Sequence, residues 1–178
     1  VQQVAIVGLS PTSHDDAPWD DPEWEIWGLP WDPGYWRRYD RHFEMHDWSL
    51  AQSRGLEYID NLMECPRLYM QERYVPNATK YPLEDVIDTI GRDYFNSSPA
   101  YMFALALHEC VDRIGLWGVD LAIDTEYAYQ RPNMEWLIGL AEGQGVDVVI
   151  PNSALMTFNG DIPFNGVPQQ YVGRYGWL

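Results

Sequence analysis

Short apolar runs alternate with amphipathic stretches along the chain. Residues 4–8 (VAIVG) are β-branched and end in glycine, the pattern of a strand covered on both faces. Residues 24–29 (WEIWGL) and 67–72 (RLYMQE) predict two further strands. Residues 41–47 (RHFEMHD) alternate, with Phe43 and Met45 on one side and His42, Glu44 and His46 on the other. Residues 56–63 predict a short amphipathic helix and residues 77–81 a loop. A second helix is predicted over 83–90, opened by Pro82 and ended by Gly91.

Residues 96–120 (NSSPAYMFALALHECVDRIGLWGVD) organise the rest. Ser98 precedes Pro99, and proline suits the first helical turn because its missing N–H would be unpaired there. Ser98 is therefore the predicted cap. Residues 100–107 are apolar on nearly every side, which predicts a helix buried on most sides. A buried strand follows at 114–119, and Asp120 falls at its carboxyl end.

Beyond it, residues 122–131 read as a polar and aromatic loop. Residues 132–142 place Met134, Leu137, Ile138 and Ala141 on one helical face, and Gly143 and Gly145 stop that helix. Residues 146–150 predict a last strand and 153–156 a turn of helix. The βα alternation and right-handed crossovers predict a three-layer, Rossmann-like α/β domain over residues 1–157, with a mostly parallel sheet of about six strands. Residues 158–178 are Gly- and Pro-rich, a tail that wraps the domain, closes a pocket or meets a neighbouring subunit.

Composition narrows the partners. The 178 residues include 46% hydrophobic positions, enough for one domain with a real core. Nine Trp and twelve Tyr need surfaces or pockets where their polar tips find partners, and such exposed aromatics are compatible with a homodimer. A net charge of −16 disfavours a direct grip on DNA or an anionic membrane. No apolar run is long enough to span a bilayer, and no leader segment is expected. Cys65 and Cys110 lack metal-ligand spacing. Cys110 is expected to be a buried helical thiol, and a reducing, cytoplasmic setting without disulfides is expected.

The candidate chemistry gathers at the carboxyl ends of the predicted strands, where open α/β sheets bind ligands. Gly8, Ser10, Pro11, Thr12 and Ser13 form a hydroxyl-rich turn after the first strand, without the dinucleotide or P-loop fingerprint. Asn96, Ser97 and Ser98 open a helix whose N-terminus suits a phosphate. His46, with Asp47 or Asp120 to orient it, is a candidate general base. Tyr127 and Tyr129 are candidates for stacking on a base or sugar. The acidic run Asp15, Asp16, Asp20 and Asp21 reads first as a solvated loop, and no residue is assigned as a metal ligand.

Ser97, Ser98, Ala100 and Tyr101, followed by Gly118, Val119 and Asp120, together with the turn from Gly8 to Thr12, resemble the sialyltransferase-like Rossmann proteins. That group includes bacterial sialyltransferases using CMP-sialic acid and the motility-accessory-factor proteins. The chain is also similar to short phage-encoded proteins of this build. The resemblance covers roughly half the chain. It implies a bound nucleotide or nucleotide-sugar, with Mg²⁺ an optional companion, and the helix N-terminus near the phosphate. The bacterial enzymes carry their catalytic His on an extra lid that does not map here, which leaves His46 and His14 as candidates.

The leading expectation is a nucleotide-sugar-dependent transferase acting on a modified nucleobase or another small acceptor. The alternatives are a nucleotide-sequestering module and a nucleotide or nucleoside hydrolase on the same fold. A purely structural subunit is the remaining reading, because fold alone does not fix function.

Overall fold

The computed structural model of the chain describes residues 1–30, 37–121, 124–151 and 155, and of residues 124–128 the backbone only. Seven strands form one all-parallel sheet: β1 (Gln3–Val7), β2 (Trp24–Gly28), β3 (Arg41–Glu44), β4 (Leu68–Met70), β5 (Ala78–Lys80), β6 (Arg113–Trp117) and β7 (Asp147–Val149). Their order across the sheet is β5-β4-β3-β2-β1-β6-β7. The chain thus builds outward from β1 to one edge, then returns past β1 to start the other side. The reversal between β1 and β6 is a topological switch point, where side chains beyond the strand ends can enclose a ligand.

Helices cover both faces. On one lie α1 (Trp48–Ser53) and α2 (Leu56–Glu64), whose Ala51, Tyr58 and Leu62 pack with Leu68 and Met70 of β4. On the other lie α3 (Leu83–Ile90), α4 (Ser98–His108) and α5 (Asp124–Gly143), packed on Val4, Ile6, Trp27, Phe43, Ile114 and Leu116. Helix α4 is buried all round, from Ala100 and Met102 to Leu107, as its unbroken apolar run requires. Pro82 and Gly91 bound α3, with Gly91 in the left-handed conformation. Met134, Leu137, Ile138 and Ala141 of α5 are all fully buried.

The orientation of α4 is anchored at the far edge of the sheet. Arg41, at the start of β3, has a side chain only 7% exposed. It pairs with Glu25 at 2.8 Å and with Glu109, the C-cap of α4, at 2.5 Å. Its guanidinium also lies 4.5 Å from the centre of the Trp27 ring. Burial alone would lower the Arg41 pKa, but hydrogen bonds and charge from Glu109 and Glu25 outweigh it, and the net shift is upward. The pair fixes the C-terminus of α4 at the amino edge, so its N-terminus faces the carboxyl edge.

Several expectations from sequence are corrected. Residues 78–80 pair with β4 as a seventh strand, where a loop was expected; parallel edge pairing supplies the backbone bonds that this polar sequence does not advertise. Helix α1 had no assignment. Helix α5 starts at Asp124, eight residues before the expected start at Pro132, with Pro132 inside it. Proline removes its own N–H and its ring crowds the carbonyl four residues back, but the turns around it are docked elsewhere: Asn96 Nδ2 donates to the Tyr129 carbonyl at 2.8 Å, and Asn133 Nδ2 to the Tyr94 carbonyl at 2.5 Å. Cys110 is neither helical nor buried; it is exposed, with φ 57°, in the turn that ends α4. The expected helical turn at 153–156 and the tail at 158–178 lie outside the described residues, apart from Leu155.

Candidate functional site

Two loops meet at the switch point so closely that only glycine fits. A Cβ on Gly8 would lie 2.4 Å from the Gly118 carbonyl oxygen, and one on Gly118 would lie 2.5 Å from that of Gly8. Gly118 also has φ +63°. The loops are joined by hydrogen bonds from Gly8 N–H to Trp117 O (2.8 Å) and from Ser10 N–H to Gly118 O (2.9 Å). Ser13 is buried and its Oγ accepts from Gly118 N–H at 2.8 Å. Ser13 therefore holds the loops together, and it is absent from the cavity wall.

This framework presents a polar knot. The hydroxyls of Ser10 and Thr12 each donate to Asp120 Oδ2 at 2.6 Å. Asp120 Oδ1 is buried and has no hydrogen-bond partner among the described residues. An unmet buried carboxylate oxygen is costly, so Oδ1 calls for an O–H or N–H donor that the described residues do not supply.

Facing the knot is the N-terminus of α4. Ser97, not Ser98, is the N-cap: its Oγ accepts from Ala100 N–H at 3.3 Å. Pro99 occupies the second helical position, which moves the cap one residue earlier than proline at the first position would. Ser98 then sits in the first turn, and neither its N–H nor its hydroxyl has a partner among the described residues. Ser10, Pro11, Asn96, Ser97, Ser98, Gly118 and Asp120 line one cavity of about 670 Å³. His46 lines it too. Gly8 is also on its wall; Thr12 reaches it through Asp120. Tyr127 lies in α5, but its side chain is outside the description.

His46 is oriented by a residue that sequence reasoning did not choose. Its Nδ1 lies 2.5 Å from Glu44 Oε1, and the same oxygen accepts the His46 backbone N–H at 2.9 Å. The other Glu44 oxygen accepts from Tyr58 OH, and Arg54 Nη1 lies 3.5 Å from it. Glu44 is 1% exposed and His46 41%. Asp47, expected to orient His46, instead caps α1: its carboxylate accepts the Ser49 N–H at 2.8 Å and the Ser49 hydroxyl. Those two bonds, the hydroxyl one larger, hold the Asp47 pKa below its usual value. Asp120 is likewise engaged with Ser10 and Thr12 and makes no bond to His46. His14 is 2% exposed and is absent from the cavity wall.

The fold as a whole matches known structures. The fold is sialyltransferase-like. The sialyltransferase CstII from Campylobacter jejuni in complex with cytidine-5'-monophosphate aligns with TM-score 0.54 and 16% identity, over 86% of this chain and 81% of that one. Its complex with CMP-3FNeuAc gives TM-score 0.56, 16% identity and coverage of 86% and 83%. CstII in complex with trisaccharide acceptor and CMP gives 0.55, 15%, and 85% and 82%. No protein-family model matches the chain. No curated protein matches it either.

On this sialyltransferase-like scaffold, no group of three or more His, Cys, Asp or Glu among the described residues is arranged to hold a metal ion. No helix among them is long and apolar enough to cross a membrane. The residues missed from sequence are Glu44, Arg54 and Tyr58. Glu44 carried one signal: the alternation of 41–47 set it on the same side as His46. Arg54 and Tyr58 reach the pair from α1–α2, a contact that only the fold creates.

Proposed function

We propose that the chain is a nucleotide-sugar-dependent glycosyltransferase, its donor held in the 670 Å³ cavity at the β1–β6 switch point. The observation that carries this reading is the convergence, on one cavity, of an unpaired helix N-terminus, an unmet carboxylate oxygen and a carboxylate-oriented histidine. The Ser98 N–H and hydroxyl, with the positive end of α4, suit the phosphate of the donor. Asp120, on the cavity wall, suits a hydroxyl or amino group of its sugar or base. The likeness of the fold to a sialyltransferase solved in complex with CMP supports a nucleotide as the ligand.

Chemically, an acceptor hydroxyl attacks the anomeric carbon and gives its proton to His46. With Nδ1 held by Glu44, Nε2 is the ring nitrogen left to take it. The bond from the anomeric carbon to the phosphate oxygen breaks, and the electron pair leaves with the nucleotide. The α4 N-terminus meets the charge that develops there.

Titration calorimetry with CMP and the other nucleoside mono- and diphosphates tests the reading. Saturable binding of one nucleotide class, lost in Ser98→Asp, is expected. No binding by any of them would overturn it. A second reading, nucleotide binding without turnover, is favoured by one feature: none of the described residues lining the cavity is Lys or Arg. Tight binding with no transfer, indifferent to His46→Ala, would select it.

A further inference from the structure

A second cavity of about 510 Å³ lies on the other side of His46. It shares Leu9, Leu29 and His46 with the first and continues past them to Pro30, Phe43 and Tyr58. The proposed base therefore stands on the wall between two compartments, touching both. Nothing in the donor scheme uses the second one.

Its walls are divided by chemistry. Leu9, Leu29, Pro30 and Phe43 form an apolar side. The polar side is Glu44, His46, Arg54 and Tyr58, already knitted together through Glu44. Behind that wall the buried Phe43 is stacked on Tyr69, with ring centres 5.0 Å apart and planes 9° from parallel. The volume suits one small molecule.

We infer that this second cavity is the acceptor compartment and that it takes an aromatic alcohol, a flat ring bearing one hydroxyl or hydroxymethyl group. The inference rests on the donor reading above and names the acceptor for it. A ring lies flat along Leu9, Leu29 and Pro30, backed by the buried Phe43, and directs its single hydroxyl to His46. A free sugar fits poorly, because hydroxyls facing leucine and proline would be stripped of water without partners. In the step that follows, the acceptor oxygen bonds to the anomeric carbon and its proton passes to His46. The sugar–phosphate bond breaks and the nucleotide leaves, so an aryl or arylmethyl glycoside and a free nucleotide are the products.

The test uses the full chain, with umbelliferone as the aromatic alcohol, lactose as the sugar and CMP as the nucleotide, each followed by titration calorimetry. The expected result is that umbelliferone binds with CMP already present, that its affinity falls at least tenfold in Pro30→Trp, at a residue that lines the second cavity and not the first, and that Ser98→Asp leaves it unchanged while losing CMP. Lactose binding in place of umbelliferone would overturn the inference. So would umbelliferone competing with CMP, which would put the ring in the donor cavity. CMP binding with no umbelliferone binding would sink the acceptor assignment and leave the donor reading intact. Failure of CMP and every other nucleotide to bind would remove both.

Discussion

Glu44 Oε1 accepts two hydrogen bonds from one residue, the Nδ1–H of His46 at 2.5 Å and its backbone N–H at 2.9 Å. Two bonds to a single buried oxygen fix both the position and the tautomer of the imidazole. Tyr58 and Arg54 hold the opposite oxygen, so the carboxylate cannot rotate away. His46→Ala should lower kcat by about two to four orders of magnitude with nucleotide affinity retained. Glu44→Gln keeps the shape and the Tyr58 contact but loses the charge. A hydrogen bond to a charged group is worth about 1.5–3 kcal/mol, so kcat should fall by about one to two orders of magnitude. Steady-state kinetics beside nucleotide titration checks both; an undiminished kcat in His46→Ala would clear it as the base.

Ser98→Asp separates binding from folding because the two effects have opposite signs. A carboxylate in the first turn of a helix is favoured by the helix dipole, so the melting temperature should stay level or rise slightly. The same carboxylate competes for the N–H groups and repels a phosphate. Nucleotide affinity should fall at least tenfold while thermal unfolding is unchanged or improved. Retained affinity would mean that the phosphate lies elsewhere.

How far these positions were legible from sequence depends on whether local or distant residues decide them. The apolar runs of β1, β6 and α4 announce themselves because burial on every side leaves no polar position to confuse the period. Strand β5, with Thr79 and Lys80 exposed, carries no such signal; only pairing to β4 makes it a strand. The cap fell at Ser97 and not at the expected Ser98, a one-residue difference set by where proline sits in the turn. At the site, the grouping of Ser10, Ser98 and Asp120 was readable from the rule that ligands gather at the carboxyl edge. The partner of His46 was misjudged because Asp47 is its sequence neighbour, whereas alternation places Glu44, two residues back, on the same side.

Gly118→Ala tests the close approach of the two loops. The new Cβ would meet the Gly8 carbonyl oxygen at 2.5 Å, and φ +63° is strained for any residue with a side chain. Both effects act on the folded state. A loss of at least about 2 kcal/mol in denaturant unfolding is expected. A loss under about 0.5 kcal/mol would show that the loops can separate at little cost.

Asp47→Ala should distinguish a helix cap from a catalytic carboxylate, and pH gives the sign. The folded-state pKa of Asp47 is depressed by the hydrogen bonds of Ser49, so its contribution to stability is present above the ordinary carboxylate value of about 3.9. It is lost as pH falls through the depressed value. The variant should be less stable than the parent at neutral pH, and the gap should close on acidification below about pH 4. Nucleotide affinity and kcat should be unaffected. A large drop in kcat would return Asp47 to the machinery.

Arg41→Met tests what aims α4 at the site. The arginine is nearly buried and joins Glu25 on β2 to Glu109 at the end of the helix. Its loss leaves the two carboxylates unequally placed. Glu25 keeps Arg67 at 3.0 Å, whereas Glu109, whose side chain is 26% exposed, has no other ion pair among the described residues. Removing one partner of a buried pair costs about 3–5 kcal/mol, chiefly because the other charge is stranded. Partial exposure of Glu109 places the expected loss near the lower end, about 3 kcal/mol. If the stranded charge is the cause, the double variant Arg41→Met with Glu109→Gln should recover much of it, since the neutral amide needs no counter-ion. Denaturant unfolding of the two variants decides the matter: equal losses in both would mean that Arg41 acts through its packing on Trp27 and not through its charge.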